Sequence, residues 1–208
     1  MSDTKEKLAT YESKRDLSKT PEPGDDEVAF DWAEERPIFV IQKHQARSLH
    51  YDLRLEVDGV LKSWAVPKGP STDPGERRLA MPTEDHPLAY ADFEGVIPEG
   101  EYGGGTMIVW DRGSYRNLTA EKEDEDAFRS LQQQIEDGHI EVWLNGAKLS
   151  GGYALIRTGG GGRPRWLLIK MKDDEADARR NPTSTEPQSV KTGRTLDEVR
   201  EQEGADEG

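Results

Sequence analysis

Between Ile38 and Lys170 the chain is written in short β-branched and aromatic runs separated by turn residues, and that rhythm restricts it to a mainly β fold. IFVIQ opens the series. LHYDLRLEV, Asp58-Gly59 and VLKSWAV spell strand, tight turn and strand, because Asp-Gly readily takes the positive φ values of a two-residue hairpin. TMIVWD and GSYRNL predict two strands flanking another turn, EVWLNGAKL carries an Asn-Gly hairpin signal, and Gly159 to Gly162 part YALIR from RWLLIK. About eight strands at this spacing predict a closed or partly closed antiparallel β-barrel, since closure removes exposed edges. One short helix is predicted over Glu123 to Asp137, where Phe128, Leu131 and Ile135 recur at helical steps and Gly138 supplies the stop.

The ends read differently. Residues 1–30 are a polar arm with one short helix over EKLATYESKRD, residues 31–172 form the barrel domain, and residues 173–208 have too few apolar anchors to predict more than a disordered acidic tail. Both termini are therefore expected to be flexible. The chain has no cysteine, so a metal would have to be held by histidine and carboxylate. No apolar run approaches the roughly 20 residues of a membrane span, and the N-terminus lacks the order of a signal peptide, so a cytoplasmic protein is expected. A net charge of −14 argues against a phosphate-rich partner over most of the surface. Residues 36–78, with eight basic and five acidic groups, are the exception.

That basic segment contains HQARSLHYDLRLE, residues 44 to 56, with two of the four histidines of the chain. Alternation along a strand puts His50, Asp52, Arg54 and Glu56 on one face and Tyr51, Leu53, Leu55 and Val57 on the other, which is the core face. The Cα atoms of His50 and Asp52 should lie about 6–7 Å apart. His44 ends the preceding strand, within reach of both. Two imidazoles and a carboxylate fill part of a coordination sphere and suit Mn²⁺, Fe²⁺, Co²⁺ or Zn²⁺. Arg54 adds a planar fork matched to phosphate or carboxylate oxygens. A second segment, EDHPLAYADFEG, groups Glu84, Asp85, His86 and Tyr90 beside a proline, with His86 a candidate general acid or phosphate binder. His139 stands apart and is read as structural. YGGGT, leading into a strand and lacking the P-loop spacing, is read as a bend or bulge.

FVIQKHQARSLHYDLRLEVDGVLKSWAVPKGPS, followed by EDHPLAYADFEGVIPEGEYGGGTMIVWDRGSY, resembles the 3′-phosphoesterase domain of bacterial and archaeal DNA ligase D, including its stand-alone forms. The likeness runs from about Lys14 to Lys170 and continues weakly into SVKTGRTLDEV. It implies a β-barrel metalloenzyme that heals DNA 3′ ends, removing a 3′-terminal ribonucleoside and then the 3′-phosphate to leave a 3′-hydroxyl. It also implies Mn²⁺, with Co²⁺ or Zn²⁺ as substitutes, on His44, His50 and Asp52. Arg54, His86 and Tyr90 would surround the scissile phosphate, Lys68 and Arg78 would support them, and Gln42 and Glu84 would contact substrate. The KRDLSKTPEP stretch would fold Asp16 and Glu22 back onto the site. The polar strand face would then be a catalytic floor inside the barrel. With no room for ligase and polymerase domains, the expected protein is a free-standing, nucleoid-associated enzyme. It would act on primer-template or broken-duplex ends beside separate ligase, polymerase and Ku-type proteins.

Two other classes compete. A non-catalytic DNA-end-binding module would keep the barrel and lose the chemistry, and an assay on 3′-phosphate primer-templates separates it. A His/His/Asp iron oxygenase is disfavoured by ligand order, because His-x5-His-x-Asp departs from a His-x-Asp followed by a distant histidine.

Overall fold

In the computed structural model, which describes residues 2–25, 30, 37–120, 130–159 and 164–204, Asp58 and Gly59 take φ values of 47° and 80°. This left-handed pair closes a two-residue hairpin and folds β2 (Leu49–Val57) back onto β3 (Val60–Val66). β1 (Ile38–Gln45) precedes them, and β4 (Arg78–Pro82), β5 (Gly95–Ile97), β6 (Gly105–Asn117), β7 (His139–Gly146), β8 (Ser150–Thr158) and β9 (Arg165–Lys170) follow. Every pairing is antiparallel, in the order β1-β2-β3-β4-β9-β8-β7-β6-β5. A further pairing of β1 with β6 closes all but β5 into a barrel. The helices are α1 (Ser2–Ser13), α2 (Leu131–Asp137), α3 (Pro182–Thr185) and α4 (Leu196–Glu203), with a 3₁₀ turn over Leu88–Asp92. No helix among the described residues is long and apolar enough to cross a membrane.

Alternation sorts the side chains into two cores. Leu53, Leu55, Trp64, Trp110, Leu144, Tyr153, Leu155, Trp166 and Leu168 fill the barrel. On the outer face of its wall, Ile38, Val40, Leu61, Met107 and Val109 are covered by Tyr11 of α1 and by Tyr90, Ala91 and Phe93 around the 3₁₀ turn. The packing inside the barrel is thus dominated by apolar side chains. The polar face of β2 looks outward, which corrects the expectation of a catalytic floor inside the barrel.

Three further expectations change. TMIVWD and GSYRNL are one continuous strand, β6, with Trp110 bulged out of the register between Ile41↔Asp111 and Gln42↔Val109. Gly113 lies there for close approach rather than for a turn, because a Cβ would collide with the carbonyl of Asn145 on β7. The helix predicted from Glu123 has its N-cap at Ser130, which forms a capping box with Gln133; residues 123–129 lie outside the described residues. Gly138 ends it in the left-handed conformation, and Leu131 and Ile135 pack against one end of the barrel core.

Residues 173–204, expected as part of a disordered tail, run along the barrel instead. The indole Nε1 of Trp110 donates to Glu186 O at 2.7 Å and the Tyr51 hydroxyl to Thr183 O at 3.3 Å, so this segment covers the barrel end opposite α2. Val190 N then donates to Val109 O at 2.9 Å, on the stretch of β6 between its β5 and β7 pairings. Val199 of α4 is fully buried. The docking rests largely on backbone groups, which a hydropathy reading does not register.

One glycine fixes how the site-bearing hairpin meets β6. Gly105 has φ 142°, and a Cβ there would run into the carbonyl of Gln45. Gly105→Ala is expected to cost about 2 kcal/mol or more, read as a lower denaturant midpoint with unchanged slope.

Candidate metal and phosphate site

The β1–β2 register places His44 opposite His50, Gln42 opposite Asp52 and Val40 opposite Arg54. The His44 and His50 rings stand 4.8 Å apart. Nδ1 of His44 and Nε2 of His50 each lie 3.6 Å from Oδ2 of Asp52. Burial pushes the Asp52 carboxyl up, but the Arg54 guanidinium at 3.5 Å and the two imidazoles at 3.6 Å outweigh it and hold the group well below the usual carboxylate range. Asp52 is therefore ionised. Burial lowers His50, yet the Asp52 carboxylate facing it leaves it raised overall. Nδ1 of His50 lies 3.0 Å from Ser48 O, leaving Nε2 to face the carboxylate.

The donor set fits a divalent cation. One ligand atom from each of His44, His50 and Asp52 lies within 4.8 Å of the others, and contacts of 3.6 Å suit donors each about 2.1 Å from a common ion. Nε2 of His44 is buried without a hydrogen-bond partner, a cost that a functional site explains.

Arg54 lies behind the cluster, 2% exposed. Its Nε donates to Gln42 Oε1 at 2.7 Å and its Nη1 to Ser63 Oγ at 2.9 Å, while Nη1 also stands 3.0 Å from His86 Nδ1. Gln42 passes the tether on, its amide donating to Tyr90 O and Phe93 O at 2.8 and 2.9 Å. It is wholly buried and does not line the cavity, although it had been expected to contact substrate. His86 is pinned to β3 by paired backbone hydrogen bonds with Leu61. Burial, then Arg54 and Arg15, push its imidazole well below the usual range, so it is neutral.

Of the two arm residues expected at the site, Glu22 is there and Asp16 is not. Glu22 accepts from the Tyr90 hydroxyl at 2.8 Å, from Thr20 Oγ1 at 3.0 Å and from Arg15 Nε at 2.9 Å. Asp16 is exposed and holds Ser18 and Lys19. Arg15 comes in its place, pairing with Glu84 at 3.0 Å and standing 3.4 Å from His86 Nε2. Glu84, expected to contact substrate, binds Arg15 and Lys14. Lys68 is exposed beyond β3, Arg78 is ion-paired with Glu76, and neither lines the cavity. His139 is exposed and pairs with Glu141 at 3.4 Å. Sequence reasoning missed Arg15 and Ser63. Counting back from Asp58-Gly59 sets Ser63 opposite Arg54, so that one was available from hairpin register; Arg15 carried no such signal. The whole encloses a cavity of about 170 Å³ lined by His44, His50, Asp52, Arg54, His86, Arg15, Tyr90 and Tyr102, among others.

Residues 42–157 match the family described as the DNA Ligase D 3′-phosphoesterase domain. The chain is 48% identical over 192 residues to the multifunctional non-homologous end joining protein LigD of Pseudomonas aeruginosa, covering 91% of this chain and 22% of that protein. Identity is 47% over 175 residues with the protein of the same name from Mycolicibacterium smegmatis, covering 82% and 21%. It is 46% over 170 residues with the multifunctional non-homologous end joining DNA repair protein LigD of Mycobacterium tuberculosis, covering 82% and 20%. The chain therefore spans about a fifth of the length of these relatives. Matched over more than half its residues, with the histidine and aspartate cluster inside the matched span, it belongs to the DNA ligase D 3′-phosphoesterase domain family.

Proposed function

We propose that the chain is a metal-dependent phosphoesterase that heals DNA 3′ ends, removing 3′-terminal ribonucleosides and 3′-phosphates to leave a 3′-hydroxyl for end joining. The observation that carries this reading is the convergence of ionised Asp52, His44 and His50 with a buried guanidinium and a neutral imidazole in one small cavity. His44, His50 and Asp52 would hold Mn²⁺, or Co²⁺ or Zn²⁺ in its place, and the bound ion would supply Lewis-acid chemistry at the phosphate. Arg54, its Nε and Nη1 already tethered, turns the rest of its fork toward the phosphate and stabilises charge developing on the nonbridging oxygens. His86, neutral and flanked by two cations, is a poor reservoir for a full proton and instead donates a hydrogen bond to a phosphoryl oxygen. Glu22 and Gln42 keep Arg15, Tyr90 and Arg54 in place. The relatives' names place them in non-homologous end joining. By the same reading this chain works on primer-template or broken-duplex ends in the nucleoid, beside ligase, polymerase and Ku-type proteins.

The test is incubation of the protein with Mn²⁺ and labelled primer-templates ending in a 3′-phosphate or a 3′-ribonucleotide, resolved by gel. Both should be converted to 3′-hydroxyl ends. Tight DNA binding with conversion of neither substrate would reduce the protein to an end-binding module. Arg54→Lys keeps the charge but cannot hold Gln42 and Ser63 and still present a fixed donor to the phosphate, so turnover should fall more than tenfold, over ~1.4 kcal/mol of transition-state stabilisation. Its Mn²⁺ affinity should hold, since the guanidinium is not a ligand. Wild-type turnover in that variant would show that Arg54 acts only as diffuse positive charge.

A further inference from the structure

The glycine run after Tyr102 is not a phosphate loop, yet its geometry gives it a purpose. Gly103 has φ 80° and Gly105 φ 142°. A Cβ at Gly104 would lie 2.8 Å from Pro98 O, and one at Gly105 would strike the β1–β2 turn at Gln45 and Ala46. Only glycine lets the β5–β6 loop lie this flat against that turn. The result is to stand Tyr102 at the mouth of the cavity. Leu17, Leu49, Leu79 and Tyr102 are the large apolar or aromatic side chains exposed among the described residues, and Tyr102, at 46% exposure, is the one of them that lines the cavity.

Tyr102 is also held. Its hydroxyl receives Lys14 Nζ at 3.1 Å and lies 3.5 Å from Glu84 Oε2. Lys14 Nζ and Arg15 Cζ stand 4.7 and 5.1 Å from the ring centroid. An exposed aromatic fixed by its neighbours loses little conformational entropy on binding. The cavity behind it, about 170 Å³, is smaller than the ~300–1,000 Å³ of pockets that enclose a whole organic ligand. It takes a phosphoryl group, and the nucleoside carrying that group must lie across the rim.

We infer that Tyr102 is a stacking platform for the base of the 3′-terminal nucleotide, setting the scissile phosphate beneath it. This deepens the proposed function and rests on it. Stacking suits an end-healing enzyme because every base presents a π-face, so the grip is strong and blind to sequence.

The experiment measures binding separately from turnover, by fluorescence anisotropy with the Mn²⁺-loaded protein. The probe is a primer-template ending in a 3′-phosphonate, whose carbon bridge leaves no ester to cleave, and its terminal nucleotide is either intact or abasic. The wild-type protein should bind the intact end about tenfold more tightly than the abasic one, in line with the worth of one stacked base. Tyr102→Ala should erase that difference, and Tyr102→Phe should keep most of it. Equal weakening of both ends in Tyr102→Ala, or a phenylalanine variant as poor as alanine, would overturn the inference by assigning Tyr102 to its polar contacts with Lys14 and Glu84. A wild-type protein that heals 3′ ends without preferring the base overturns it alone. One that neither binds nor heals them overturns the functional reading too.

Discussion

Asp52→Asn should lower turnover on 3′-phosphate ends by about a hundredfold or more, ~2.7 kcal/mol of transition-state stabilisation. The substitution keeps the shape of the side chain and removes the charge on which both imidazoles and Arg54 converge. Three protein ligands leave no redundancy, so His44→Ala and His50→Ala should fall in the same range. The fold should persist, because the cluster lies on the outer face of the wall and the barrel interior owes it nothing. Steady-state kinetics with thermal melts on the same preparations check this. A variant that melts like wild type and retains more than a tenth of the activity would remove its residue from the ligand set.

The second large effect is on stability. Truncation before Pro182 should cost about 4–6 kcal/mol. Val199 loses a fully buried site, worth ~1.5–3 kcal/mol, and the Trp110 indole loses its acceptor at Glu186, worth ~1–3 kcal/mol when the donor stays buried. Ser189, Thr192 and Arg194 also leave the Glu94 carboxylate, which is 2% exposed. For a chain of this size that is a fall in Tm of more than about 10 °C. A truncated protein melting within a few degrees of wild type would show that the docked segment contributes little.

The site-bearing wall and the docked tail differ in how far their residues alone reveal them. Alternation in LHYDLRLEV separated the apolar face from the chemical one, and the short QARSL connection between β1 and β2 brings His44 opposite His50. Neither signal tells which side of a closed sheet is inside. That followed from Tyr11, Tyr90 and Phe93, which cover the outer face and supply the second core. The tail was illegible for a related reason: it docks through main-chain carbonyls and a few residues such as Val199, so its composition resembles that of a disordered segment. Arg15 was hidden because its partners, Glu22, Glu84 and His86, are brought to it by tertiary folding alone. Gln42 falls next to the cluster in sequence, and its hydrogen bonds to Arg54, Tyr90 O and Phe93 O depend on tertiary folding that the sequence does not register.

His44, His50 and Asp52 on the outer wall of the barrel are proposed to hold the metal ion that the phosphoesterase chemistry uses. Electron paramagnetic resonance titration of Mn²⁺ into the protein tests this assignment without reference to turnover. One tight site per chain is expected in the wild type, lost in His44→Ala, with the circular dichroism spectrum unchanged. Tight Mn²⁺ binding at the same stoichiometry and affinity in His44→Ala would contradict it.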